Sequence, residues 1–226
     1  MEYLHNDKER FLEAINLVVY QTGISAEAVE KDYYVTMILR HLAEKLSFVV
    51  FKGGTSLSKC HQVIKRFSED IDVTIDMSLS QGQKKKVKTA IVEIVEMMGL
   101  EIRNLEETRS RRDYNIYVNV YDYYLQNKVK KHSRHIYDIY KLLPLVPQDD
   151  DYCRLVQEVR KVRKMSPVCP SAQDGVDIPA LLGAIIKESA YKTDYQNLTE
   201  GLLEEKVSYE MAVKALEKIS ESQIFG

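Results

Sequence analysis

Tryptophan is absent from the chain, and its three cysteines, Cys60, Cys153 and Cys169, show no CxxC spacing. An odd, scattered set of thiols excludes a disulfide framework, so a reducing, cytoplasmic setting is expected. No run approaches the roughly 18 apolar residues that a membrane helix needs, which excludes insertion by that route. The first residues, Met1 to Asp7, lack the basic-then-apolar pattern of a secretory signal. Charge of one sign is also lacking. With a formal net charge of −2, nothing draws the whole molecule to nucleic acid, and such binding must rest on local basic patches.

What remains is an ordinary globular composition, 45% hydrophobic and 29% charged over 226 residues, enough for one large domain or two small ones. The 15 tyrosines stand out. They can stack on bases, or line half-buried faces with the hydroxyl at the surface, and the second use is the commoner.

Periodicity predicts a first helix capped by Asn6 or Asp7, with Phe11, Ile15, Val18 and Val19 on one face and an end at Thr22-Gly23. Ser25 caps a second. Phe48 to Lys52 reads as a buried strand, and Thr55 to about Phe67 as a helix. Asp70 to Ile75 alternates like a half-buried strand. A helix runs from Gln81 to Met98, with Val87, Ala90, Ile91, Ile94, Val95 and Met98 inward and Gly99 as its stop. Strands are expected at Leu100–Leu105 and Tyr114–Tyr121. Beyond about Asp122 the pattern is helical, with helices over Ser133–Leu143, after Asp149-Asp150-Asp151, from Asp177 and from Ser208. The fold class is therefore α/β (α+β): a small mixed-sheet domain over 1–125, then an α-helical domain over 126–226.

The chemistry concentrates in two short motifs. Strand–Gly53-Gly54-Thr55-Ser56–helix offers a cradle for phosphate: two amides open to close approach, two hydroxyls and a helix N-terminus. Lys59, one turn on, can reach a phosphate. The GxxxxGK[ST] spacing of a P-loop is missing. Glycine at such a turn is also explained by sterics alone. Asp70 and Asp72 follow, and i, i+2 residues of a strand share a side. Such a pair suits a charged, aggregation-resistant edge, but like charges so close favour a cation between them. A site for a metal–triphosphate complex results, with Mg²⁺ on Asp70 and Asp72 and an NTP on Gly53, Gly54, Thr55, Ser56 and Lys59.

Phe51-Lys52-Gly53-Gly54-Thr55-Ser56-Leu57-Ser58-Lys59 with Arg66-Phe67-Ser68-Glu69-Asp70-Ile71-Asp72 resembles the AbiEii/AbiGii family of nucleotidyltransferase toxins, of abortive-infection and toxin–antitoxin systems. Glu30-Lys31-Asp32-Tyr33-Tyr34, Ser133 to Tyr140, Tyr191 to Tyr195 and Val207-Ser208-Tyr209 resemble the same family. The resemblance implies a nucleotidyltransferase-fold core and transfer of NMP from an NTP to an acceptor hydroxyl, on a tRNA 3′ end or a protein. It also implies a cognate antitoxin and a catalytic role for Asp138, which by itself reads as a polar helix anchor. Arg134 and His135 read equally as surface residues or phosphate contacts. The basic stretches Lys84 to Lys88, Arg109 to Arg112 and Lys128 to Arg134 are candidate backbone contacts for RNA, or solvated faces.

In one place the chain departs from the family pattern. Members usually carry further strands and a lysine-bearing motif between the segments like Tyr114–Val118 and Asp122-Tyr123-Tyr124-Leu125. Here the two nearly abut around Val118-Asn119-Val120. The shortening supports an alternative, a catalytically weakened module that binds nucleotide or antitoxin for regulation.

Overall fold

A computed structural model of the chain describes residues 3–67, 70–75, 80–106, 118–119, 133–165, 169–222 and 224–225. Two compact units divide it, Met1–Val129 and Lys130–Gly226. Among the described residues the fold is mixed α+β and mostly helical, 68% of them helix beside small antiparallel sheets.

In the first unit, helix α1 (Lys8–Thr22) starts where the Asp7 carboxylate accepts from the Arg10 amide. It ends at Gly23, whose φ of 73° is the left-handed conformation that glycine adopts without a Cβ penalty. Ser25 caps α2 (Ala26–Lys45) through the Ala28 amide. Phe11 and Ile15 of α1 and Val29, Tyr34, Val35, Leu39 and Leu42 of α2 are buried. Strand β1 (Val49–Lys52) pairs antiparallel with β2 (Asp72–Ile75), in the register Val50↔Thr74, Phe51↔Val73 and Lys52↔Asp72.

Between those strands, α3 (Gly53–Thr55) runs directly into a single wider turn, Ser56–Cys60. Helix α4 (Gln81–Met97) opens with a reciprocal capping box between Ser80 and Gln83 and buries Val87, Ala90, Ile94 and Val95. A second pair of short strands follows, β3 (Glu101–Ile102) against β4 (Val118–Asn119).

Three expectations need correction. Strand β1 is not buried: Val50 is 58% exposed, because among the described residues β1 pairs with β2 alone. The helix after Gly54 stops at Cys60 rather than Phe67, since Gln62 takes a φ of 54°, which no right-handed helix continues through. Strand β2 starts at Asp72, so Asp70 precedes it instead of sharing its face. Most of the strand expected at Tyr114–Tyr121, and the basic stretches from Arg109 and from Lys128, lie outside the described residues.

Tyr3, His5, Phe11, Tyr33, Tyr34 and His41 form an aromatic plug in the first unit. His5 is buried, its ring stacked on Tyr3 at 5.3 Å and edge-on to Phe11 and Tyr33. Its Nε2 lies 2.8 Å from the Met98 carbonyl oxygen, which can only accept. Nε2 therefore carries a proton and donates to that carbonyl, while Nδ1 lies 2.9 Å from the Tyr33 hydroxyl. One imidazole thus ties the N-terminus to both α2 and the end of α4.

In the second unit, α5 (Arg134–Leu142) buries Ile136 and Tyr137 and ends near Pro144. Ser133 does not cap it. Its own backbone is helical, and its hydroxyl bonds Thr199 Oγ1 at 2.7 Å while its amide donates to Asp194. Helix α6 (Asp150–Arg163) is capped by Asp149 and α7 (Ile178–Lys187) by Asp177, each through an amide three residues on. After the short helix α8 (Lys192–Asp194) comes fully buried Tyr195, whose hydroxyl donates to the Val207 carbonyl. Burial holds that phenol well above its usual pKa. Ser208 caps α9 (Tyr209–Ala212), and α10 (Lys214–Glu221) follows, packing on α5 and α7.

Replacing His5 by Ala removes two buried hydrogen bonds and the centre of the plug. A loss of about 2–4 kcal/mol is expected in urea unfolding. A loss below about 0.5 kcal/mol, the scale of an ordinary surface substitution, would show that the plug is peripheral to stability.

Candidate active site

The site grows from the β1–α3 turn. After Lys52 the chain must reverse into a helix within one residue, and Gly53 does so with a φ of 69°. Gly53 and Gly54 are also required by what lies against them. A Cβ at Gly53 would sit 3.1 Å from Cγ of Asp72 and run into its carboxylate. A Cβ at Gly54 would sit 3.2 Å from Cζ of Arg66 and collide with its guanidinium. The glycine pair therefore makes room for one anionic and one cationic side chain of the following segment.

The next residue completes the clasp. Thr55 is buried, and its hydroxyl donates to the main-chain carbonyl of Asp70. The Asp-Ile-Asp segment is thus fixed to the turn at Thr55 through Asp70 and at Gly53 through Asp72, while Asp72 pairs in register with Lys52. Both Asp70 and Asp72 are exposed residues. Ser56 is buried in the wider turn behind them.

Lys59 is engaged elsewhere. Its ammonium lies 2.8 Å from Asp32 Oδ2 on α2, in a partly buried ion pair. Burial pushes the Asp32 carboxyl above the ordinary aspartate range, and the Lys59 bond and charge pull it back in part. Asp138, on α5, belongs to the second unit, where it is buried with the His135 ring nitrogen 3.8 Å from its carboxylate. Nearby, Glu205 accepts from both Tyr137 and Lys141.

The structure thus gathers Gly53, Gly54, Thr55, Ser56, Asp70 and Asp72 into one clasp. Two residues of this neighbourhood went unassigned in the sequence. Arg66 is buried, 3% exposed, and donates to the Phe67 carbonyl at 3.0 Å. A lone arginine three residues ahead of an acidic run carries no signal that it will be buried. Asp32 sits in a segment whose family resemblance was visible, but nothing in the sequence joins it to Lys59.

Among the described residues no three histidine, cysteine or carboxylate side chains converge. The oxygen donors at the clasp are Asp70 and Asp72. That set fits a hard divalent ion that keeps waters and substrate phosphates as its other ligands, as Mg²⁺ does. It does not suit a closed structural metal site, which takes four protein ligands. A second surface feature lies on the same unit: Lys45, Lys85, Lys86, Thr89 and Glu93 line a shallow hollow of about 390 Å³, with Lys45 paired to Glu93 at 2.7 Å.

Residues 37–130 match the family model described as nucleotidyl transferase AbiEii toxin, type IV TA system. Over that segment the chain carries the AbiEii pattern. The match covers less than half of the chain. It includes β1, the glycine turn, both aspartates and α4, and leaves Asp32 and Asp138 outside. No curated protein and no solved structure matches the chain. The AbiEii match and the clasp coincide on the same residues. No described helix is long and apolar enough to cross a membrane.

The Asp32–Lys59 pair gives a pH signature. A carboxyl whose pKa is raised on folding adds stability below its unfolded value, near 3.8, and loses that contribution as pH rises through the folded value. The stability advantage of the native chain over Asp32→Asn should therefore grow as pH falls from about 7 to about 4. Urea melts at the two pH values read it. An advantage that shrinks on acidification would mean that the Lys59 charge, not burial, governs Asp32.

Proposed function

We propose that the chain is a metal-dependent nucleotidyltransferase that moves a nucleoside monophosphate from an NTP to an acceptor hydroxyl, and that it acts as the toxin of a toxin–antitoxin pair. The observation that carries the reading is the clasp: two exposed carboxylates locked against a glycine turn at a helix N-terminus, within the segment that matches the AbiEii family.

Nucleotidyl transfer asks little covalent chemistry of a protein. It needs the triphosphate held rigidly and its charge met. Gly53, Gly54 and Thr55 form the first turn of α3, where their amides would donate to phosphate oxygens. Asp70 and Asp72 would hold Mg²⁺, which when bound neutralises charge on the triphosphate. The Thr55 hydroxyl is spent on the Asp70 carbonyl, so it positions the aspartates and does not bind substrate itself. The Asp32 contact steadies Lys59 at the end of the same helical segment. The acceptor we favour is the 3′ end of a tRNA, because Lys85 and Lys86 give the first unit a local cationic surface that a phosphate backbone can follow. The family resemblance also gives Asp138, on α5, a catalytic role.

Incubation with each radiolabelled NTP, Mg²⁺, total tRNA and total protein tests the reading. Label is expected on tRNA. Asp70→Ala and Asp72→Ala should each lower it roughly 10²–10³-fold without loss of fold. Lys85→Glu with Lys86→Glu should raise the KM for tRNA and leave kcat intact. Label on protein alone would move the acceptor. Absence of metal-dependent labelling, together with calorimetric silence toward every NTP, would overturn the enzyme, and nucleotide binding without transfer would favour the weakened regulatory module.

A further inference from the structure

The ribbon formed by β1 and β2 has a half-buried side and a solvent side. Along β1, Val49 and Phe51 are half-buried while Val50 and Lys52 are exposed. Along β2, Val73 is half-buried between exposed Asp72 and Thr74. The register joins like with like: Phe51↔Val73 inside, Val50↔Thr74 and Lys52↔Asp72 outside. Directly opposed residues of an antiparallel pair point to the same face, with Cβ atoms about 5 Å apart. Lys52 and Asp72 therefore stand side by side in solvent, at the end of the ribbon where Gly53 begins the turn.

These opposite charges do not close on each other. The Asp72 carboxylate lies against Gly53, and the Lys52 ammonium has no hydrogen-bond or ion-pair partner among the described residues. Neighbouring cations are already committed. Lys59 is held by Asp32, and Arg66 is buried against Gly54, where it donates to the Phe67 carbonyl. An ammonium and a carboxylate that share one face beside a glycine turn, unpaired, suit a ligand that carries both signs. A metal–triphosphate complex is such a ligand: its cation meets the carboxylate, and its phosphate oxygens meet the ammonium. Lysine fits the place, being a compact charge on a flexible stem that can follow phosphate oxygens. We propose that Lys52 binds the triphosphate of the NTP, as the charge partner of metal-holding Asp72. The proposal rests on the nucleotidyltransferase reading and adds to it the side chain that meets the substrate's negative charge.

Calorimetric titration of the full chain in Mg²⁺, with the best-bound NTP and with inorganic triphosphate as a base-free probe, tests the assignment. Lys52→Met should weaken both at least about tenfold, the scale of one charge-assisted hydrogen bond. Lys52→Arg, which keeps the charge, should stay within about threefold of the parent. Thermal melts of the three chains should coincide, since Lys52 is exposed. Parent-like binding by Lys52→Met, or an equal loss in Lys52→Arg, overturns the proposal and leaves the nucleotidyltransferase reading in place. A loss that appears in Lys59→Met and not in Lys52→Met overturns it in the same way. A parent chain that binds neither probe overturns both.

Discussion

The close approach between a glycine pair and two charged side chains organises the first unit. Asp72 occupies the space a side chain at Gly53 would need, and Arg66 the space at Gly54. Removing the Cβ atoms is what lets the strand after the turn lie so near the helix that begins in it. The left-handed φ of Gly53 and the lockstep pairing of Lys52 with Asp72 serve the same end. Carboxylates, helix terminus and main-chain amides thereby share one small volume, and electrostatics at the site follow from that proximity.

Much of this was legible in the residues because the signals are local. Caps at Asp7, Ser25, Ser80, Asp149, Asp177 and Ser208 are short-range chemistry, and each sits at a helix start. The stripe Val87, Ala90, Ile94, Val95 and Met98 obeys the helical period and is buried. The failures are non-local. Phe48 to Lys52 looks like a buried strand by composition, but burial depends on how many strands pair, which the segment itself does not encode. The helix after Gly54 has the right pattern to run on, and the left-handed backbone of Gln62 cuts it short.

At the candidate site, residue types were readable and partnerships were not. Asp70 and Asp72 do not share a strand face as the spacing suggested; each meets the glycine turn separately, Asp70 through its carbonyl bond to Thr55 and Asp72 through strand pairing with Lys52. Lys59 looks like a phosphate ligand until Asp32, 27 positions earlier, comes to its side. Ser133 shows the same limit in the second unit. It has the identity of a cap and serves as a tertiary tie to Thr199 and Asp194.

The clasp also has a kinetic consequence. Its members all lie between Lys52 and Asp72, so assembling it closes a chain segment of only about 20 residues, for which the entropy cost grows just logarithmically. Contacts of such short sequence separation are among the first a folding chain can reach. The candidate site is in this sense a self-contained cassette, able to take shape from its own neighbourhood. Sequence change elsewhere in the chain is correspondingly free to explore other surfaces without dismantling it.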